Sequence, residues 1–190
     1  SAEPGKKETV ASAEEKQKKR DDERDRKNRE WIERTLEFGI QRERIEAINK
    51  IMEIRNPSEK KEMGLKLRNI IKEEIDSEVK TKALYVAGEI QLKELMPEIS
   101  AGLDDETEDI RIASVYALKK INDASVASKM SEILKKQDLK KDTNFIEALI
   151  NTLASFKAKD LKDFAVEHIK DVHTGVNNRQ QLVLFLGRAG

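Results

Sequence analysis

One twelve-residue pattern recurs five times in this chain, at Glu43–Ile54, Val79–Ile90, Ile110–Ile121, Phe145–Phe156 and Asn178–Ala189. Successive copies end 31 to 36 residues apart, and self-similarity at such a period is the mark of a repeat architecture. Within each copy, positions 5, 6, 9 and 12 are mostly apolar or small, the stripe of a helix buried along one face. Shorter apolar-patterned stretches lie between the copies, at Arg29–Phe38, Ser58–Glu73, Leu95–Leu103, Ala124–Lys135 and Asp160–Val172. Each is long enough for a helix that returns antiparallel to the next copy. A hairpin of two helices leaves a face uncovered, so neighbours must stack to extend a common core. The expected fold is therefore all-α, an α-solenoid (superhelix) of about five antiparallel helical hairpins over residues 28–190.

Composition supports helices over sheets. Charged residues make up 39% of the chain and aromatics 4%, a profile that suits long helices and lacks the β-branched and aromatic residues of strands. Turn signals punctuate the apolar periods at Gly39, Asn56-Pro57, Asp76-Ser77, Asp104-Asp105, Asn122-Asp123, Lys141-Asp142, Lys159-Asp160 and Gly175 to Asn178. The run from Asn56 to Glu59 places an asparagine cap, a proline at the first helical position and a glutamate at the third, a strong start signal. Asp123 and Asp160 read as further caps.

Residues 1–27 form a charged leader. Residues 1–30 contain ten Lys/Arg and nine Asp/Glu, with Val10 the only aliphatic residue larger than alanine, so this segment cannot bury a core. It reads as a disordered or exposed-helical tether, weakly supported by pairs such as Glu15–Lys19 and Asp22–Arg26, or as an arm that docks a partner. The opening Ser1 to Gly5 fits either a mature exported chain after cleavage or an arbitrary boundary. No stretch approaches the roughly 18 apolar residues of a membrane span.

The second-helix pattern, apolar-Arg-x-x-Ala-Ala-x-Ala-Leu-Gly-x-Ile, resembles that of the HEAT repeats, best at Val79–Ile90, Ile110–Ile121 and Asn178–Ala189. Basic residues stand at the family's arginine position as Arg44, Lys80, Arg111 and Arg179, whereas Ile146 breaks the pattern. Asp76 and Asp104/Asp105 precede the second and third copies as possible partners for these cations. Pro97 lies near the start of a first helix, as in HEAT repeats. Tetratricopeptide repeats share the period, but their Trp…Leu-Gly…Tyr and late-proline pattern is missing. The phrase from Thr35 to Gly39 ahead of an Arg-Ile-Glu-Ala helix is similar to exported HEAT proteins of spirochaetes, which leans the expected compartment to the bacterial periplasm over the cytoplasm. Gly190 follows the last copy with no covering helix, so the family's need for a polar end face implies a domain truncated at its C-terminus, open to end-to-end self-association.

The resemblance implies that the second helices line a concave surface, where outward positions form ladders. The seventh position carries Asn49, Tyr85, Tyr116, Asn151 and Leu184; the eleventh carries Glu53, Glu89, Lys120, Ser155 and Arg188. Both tyrosines of the chain occupy the same position of adjacent copies. Each either packs across the junction with its hydroxyl in water or serves as an interface anchor, a role for which tyrosine is enriched. The eleventh-position ladder runs from acidic to basic, so a partner segment of opposite polarity would be oriented by it. The expectation is a non-catalytic protein-protein interaction scaffold.

Signals for other chemistry are weak. Lysine plus arginine (37) equals aspartate plus glutamate (37), so no overall field steers the chain to nucleic acid. Without cysteine, thiolate chemistry and sulfur-ligated metals are out. His168 and His173, five apart, would point about 140° from each other on one helix. Metal-dependent HEAT enzymes similar to deoxyhypusine hydroxylase need paired His-Glu dipeptides, and only the reversed Glu167-His168 occurs. The scattered glycines build no phosphate loop. No cofactor or metal is expected; the competing reading is a HEAT-like lyase or nucleic-acid glycosylase acting on a small ligand or nucleic acid. Trp31, the only tryptophan, is expected to cap the core of the first hairpin.

Overall fold

A computed structural model describes residues 10–189. The readings made at Ser1 to Gly5 and at Gly190 lie outside the described residues. Among the described residues the chain is all-helical, without strands, and no helix is long and apolar enough to cross a membrane. The elements are α1 (Val10–Phe38), α2 (Gln41–Ile51), α3 (Pro57–Leu65), α4 (Arg68–Glu73), α5 (Ser77–Glu89), α6 (Met96–Ala101), α7 (Glu108–Ile121), α8 (Ala127–Lys135), α9 (Asn144–Ser155), α10 (Lys162–Lys170) and α11 (Val176–Ala189). Short 3₁₀ turns precede α6, α8 and α10 and follow α6.

The five recurrent segments fall on α2, α5, α7, α9 and α11. These pack in series, α2 on α5, α5 on α7, α7 on α9 and α9 on α11. The intervening helices pair with the next copy, α1 with α2, α4 with α5, α6 with α7, α8 with α9 and α10 with α11. The apolar stripe explains this arrangement. Ala47, Ile48, Ile51, Ala83, Leu84, Ala87, Leu118, Leu149, Ile150 and Leu153 are all buried. In the last copy the stripe weakens, and Val183 is 54% exposed.

Local chemistry sets many of the ends. Asn56 Oδ1 accepts from the Glu59 amide at 3.1 Å, and Asp76 Oδ1 accepts from the amides of Glu78 and Val79 at 3.0 and 3.1 Å. Asp123 caps its 3₁₀ turn through the Ser125 amide. Asp160 does not cap. It sits inside a 3₁₀ turn, and the residue at the N-cap of α10 is Leu161, with no side-chain hydrogen bond. The cap of α11 comes from elsewhere in the chain, where Asp142 accepts from the Asn177 and Asn178 amides at 3.2 and 2.8 Å. Copies two to four are each followed by a left-handed residue, Gln91, Asn122 and Lys157, at φ 54°, 57° and 53°. After Gln91 and Lys157, the Leu92 and Ala158 amides reach back to the carbonyls of Ala87 and Leu153, and their side chains are buried, the closed form of a helix C-terminus.

Other sequence readings change as well. The helix expected over Ser58–Glu73 is two helices, because the amides of Lys66 and Leu67 bond to Met63 and Gly64 and tighten the chain there. Residues 10–27 of the charged leader are helical and belong to α1; pairs within it include Arg24–Asp21, Lys27–Glu23 and Arg26–Glu30, whereas Glu15–Lys19 and Asp22–Arg26 are not paired among the described residues. Trp31 does not cap the core. It is 39% exposed, while Ile32 beside it is fully buried, because one step along a helix turns the side chain by about 100°.

Polar contacts tie each copy to the next. Arg44 pairs with Glu74 and Lys80 with Asp105 at 3.3 Å, while the Arg111 guanidinium lies 4.8 Å from the Phe145 ring centroid. Asp76 instead accepts from Gln41, and Asp104 pairs with Lys129. Burial pushes the Glu74 and Asp105 carboxyls up. The Asp76 amide and Arg44 outweigh it at Glu74, and the Thr107 amide and Lys80 at Asp105, so both lie below their ordinary values. A carboxyl depressed by folding adds stability that is complete above its unfolded pKa and is lost as pH falls through the folded value. The urea midpoint is therefore expected to hold down to about pH 5 and to decline below about pH 4. Glu74→Gln with Asp105→Asn should flatten that decline, and an equally steep decline in the double variant would rule these pairs out as its source.

Candidate functional site

Helices α5 and α7 meet at a glycine. Gly88 faces Ala117, and a Cβ on Gly88 would stand 2.7 Å from the Ala117 Cα. Tyr85, one turn before Gly88, and Tyr116, next to Ala117, are thereby brought face to face. Their rings stack with centroids 5.2 Å apart and planes 13° from parallel, a favourable aromatic distance. Tyr85 remains 38% exposed, and Tyr116 is half-buried.

Charged groups fix the stack. The Tyr116 hydroxyl donates to Glu89, which also receives Lys120 at 3.3 Å. The Lys82 and Lys120 ammonium groups lie 5.4 and 5.5 Å from the Tyr85 and Tyr116 centroids, within reach of the negative ring faces. Burial, and then the Glu89 carboxylate it donates to, push the Tyr116 phenol up. The phenol in turn, followed by Lys120, holds Glu89 below the ordinary carboxylate range. Tyr116 is thus a donor and Glu89 an acceptor at neutral pH, as their ordinary values already require, and both shifts reinforce that pairing.

One turn toward the helix N-termini, the surface opens into a groove of about 610 Å³. Ile45 from α2 and Ile112 and Ala113 from α7 give it an apolar floor, the two tyrosines one wall, and Glu78 and Asp109 part of its rim. Compared with protein-family models, curated proteins and solved structures, the chain matches none.

Tyr85, Tyr116, Glu89 and Lys120 come together as one cluster. The other ladder positions do not join it by any hydrogen bond or ion pair. Asn49 and Asn151 are half-buried on α2 and α9, Leu184 is 50% exposed on α11, and Arg188 is exposed near its end. Glu53 lies beyond α2 in the next turn, 3.8 Å from Lys50, and Ser155 donates to the Thr152 carbonyl. The acidic-to-basic run of the eleventh position is interrupted, since Glu89 and Lys120 neutralise each other across the helix junction. Ile45, Glu78, Lys82, Asp109 and Ile112 were missed by the sequence reading. A signal was available for Glu78, Lys82, Asp109 and Ile112, which precede the tyrosine of their own helix by three, four or seven positions and therefore share its face; Ile45 stands on α2, which carries no tyrosine.

The histidines are dispersed. His168 packs on Phe164 with ring centroids 4.3 Å apart, and His173 is exposed in the turn after α10. Among the described residues no three His, Asp or Glu side chains converge as metal ligands would.

Proposed function

We propose that this chain is a non-catalytic scaffold of the HEAT-repeat type, an α-solenoid that binds a segment of a partner protein along the face formed by α2, α5, α7, α9 and α11. The observation that carries the reading is the stacked tyrosine pair beside an apolar groove at the junction of two successive helices. A partner side chain can bury there against rings already held by Glu89, Lys82 and Lys120, so little rotamer freedom is lost on binding. Serial packing of the recurrent helices supports the solenoid, as do the left-handed residues that close copies two to four. Arg44 and Lys80, at the basic position of the HEAT-like pattern, each pair with a carboxylate of the next hairpin, which also supports it.

Tyr85→Ala with Tyr116→Ala is expected to weaken capture of protein partners from a cell extract at least tenfold, since aromatic anchors carry most of the energy of such interfaces. Helical circular dichroism of the double variant should match that of the original chain. Undiminished capture with intact helicity would refute the groove assignment.

A further inference from the structure

The charges around the groove narrow the chemistry of its occupant, provided that the scaffold reading holds. Glu78 and Asp109 stand in the first turns of α5 and α7, both exposed and both on the rim of the same groove. Neither carboxylate takes part in an ion pair or side-chain hydrogen bond among the described residues, whereas the cations around them are committed elsewhere. Lys80 is held by Asp105, Arg111 by the carbonyls of Asp105 and Glu106, and Lys120 by Glu89. Lys82, which also lines the groove, lies over the Tyr85 ring. In a chain whose formal charge sums to zero, the rim keeps a local negative surplus. The equivalent first-turn positions of other copies are Arg42, Asn144 and Asn177, so the surplus belongs to the α5/α7 junction.

Distance along the helices sharpens this. Glu78 precedes Tyr85 by seven residues, and Asp109 precedes Tyr116 by seven. Two parallel columns result, each running from a carboxylate to a tyrosine over about 10 Å at 1.5 Å per residue, with the apolar floor between.

We infer that the groove takes a cationic, apolar peptide segment, in which a large apolar side chain fills the floor beside the tyrosines and a lysine or arginine reaches Glu78 and Asp109. A gap of about 10 Å corresponds to about three residues of extended chain or about seven of helix, so the basic residue stands at one of those separations from the anchor. Exposed carboxylates attract a cation through solvent, and the attraction is screened by salt.

The test is a random dodecapeptide phage library panned against the full chain, followed by fluorescence anisotropy of the enriched, labelled peptides. Enriched sequences should place Lys or Arg about three or seven positions from a large apolar residue. Their affinity should fall about tenfold with Glu78→Gln and Asp109→Asn together, fall severalfold between about 0.15 and 0.5 M salt, and fall again with Tyr85→Ala. Glu78 and Asp109 are exposed, and unchanged circular dichroism verifies that their replacement leaves the fold intact. Enriched peptides that lack basic residues, or that bind the carboxamide double variant equally well, overturn the inference. If those peptides still lose affinity with Tyr85→Ala, the groove reading stands and only the cationic requirement falls. If they are indifferent to Tyr85→Ala as well, both fall. A library that yields no peptide preferring the original chain to Glu78→Lys with Asp109→Lys also counts against the inference.

Discussion

Gly88→Leu is expected to lower the stability of the chain by about 3 kcal/mol and to pull the tyrosine stack apart. The reason is backbone proximity. A Cβ at position 88 would lie 2.7 Å from the Ala117 Cα, 3.1 Å from its Cβ and 3.4 Å from its carbonyl oxygen. Two of these are main-chain atoms, so a rotamer change cannot relieve the clash. Helices α5 and α7 must separate, and with them Tyr85 and Tyr116. Gly88→Ala provides the comparison. Alanine gains about 1 kcal/mol of helix propensity over glycine, which partly offsets the smaller clash, so its loss should be well below that of leucine. Urea unfolding measures the stability, and near-ultraviolet circular dichroism of the tyrosines reports the stack. A leucine variant with the original midpoint and tyrosine signal would show that α5 and α7 are not this close. Since α5 and α7 supply most of the groove lining, loss of peptide binding should accompany loss of the stack.

Phe145→Ala should produce a comparable or larger loss, about 3–5 kcal/mol. Phe145 is 2% exposed near the start of α9, and its ring carries the Arg111 guanidinium at 4.8 Å. Removing it opens a cavity at the α7/α9 junction and also deprives Arg111 of the ring face on which it rests. Phe145→Leu separates these contributions. It keeps most of the volume, for a packing loss of about 1 kcal/mol, and forfeits the cation–π contact, worth about 0.5–1 kcal/mol at a partly exposed site. Unfolding midpoints of the two variants and of Arg111→Ala order the effects. If Phe145→Ala lies within about 1 kcal/mol of the original chain, the aromatic does not bridge the two helices as described.

The helices were legible in the sequence because their information is local. A buried stripe such as Ala47, Ile48 and Ile51 depends on spacings of three and four along one helix, and a single helix satisfies them whatever its neighbours do. The same holds for the starts at Asn56-Pro57 and Asp76-Ser77, where a side chain bonds amides two or three residues away. Ends that lack such chemistry were not legible. Gln91 and Lys157 adopt the left-handed conformation although neither is glycine or asparagine, and burial of Leu92 and Ala158 behind them holds the chain there. The cap of α11 was hidden for a related reason, since Asp142 lies 35 and 36 residues from the amides it accepts from.

At the candidate site, the recurrence of tyrosine at one position of adjacent copies was enough to single out Tyr85 and Tyr116. It was not enough to say that they stack, that Glu89 takes both the Tyr116 hydroxyl and Lys120, or that Glu78 and Asp109 share a rim. Those facts depend on how far α5 is displaced along and against α7. That displacement is set by close packing between residues distant in sequence, above all Gly88 against Ala117, because side chains interlock only at separations and registers that leave no void. By itself the sequence determined that the five recurrent segments are helical and which of their faces are buried, through periodicity within each helix. Only the tertiary structure decided which charges cancel and which of the described ones stay unpaired, because pairing across a junction follows from the lateral register of two helices, and no single helix contains it.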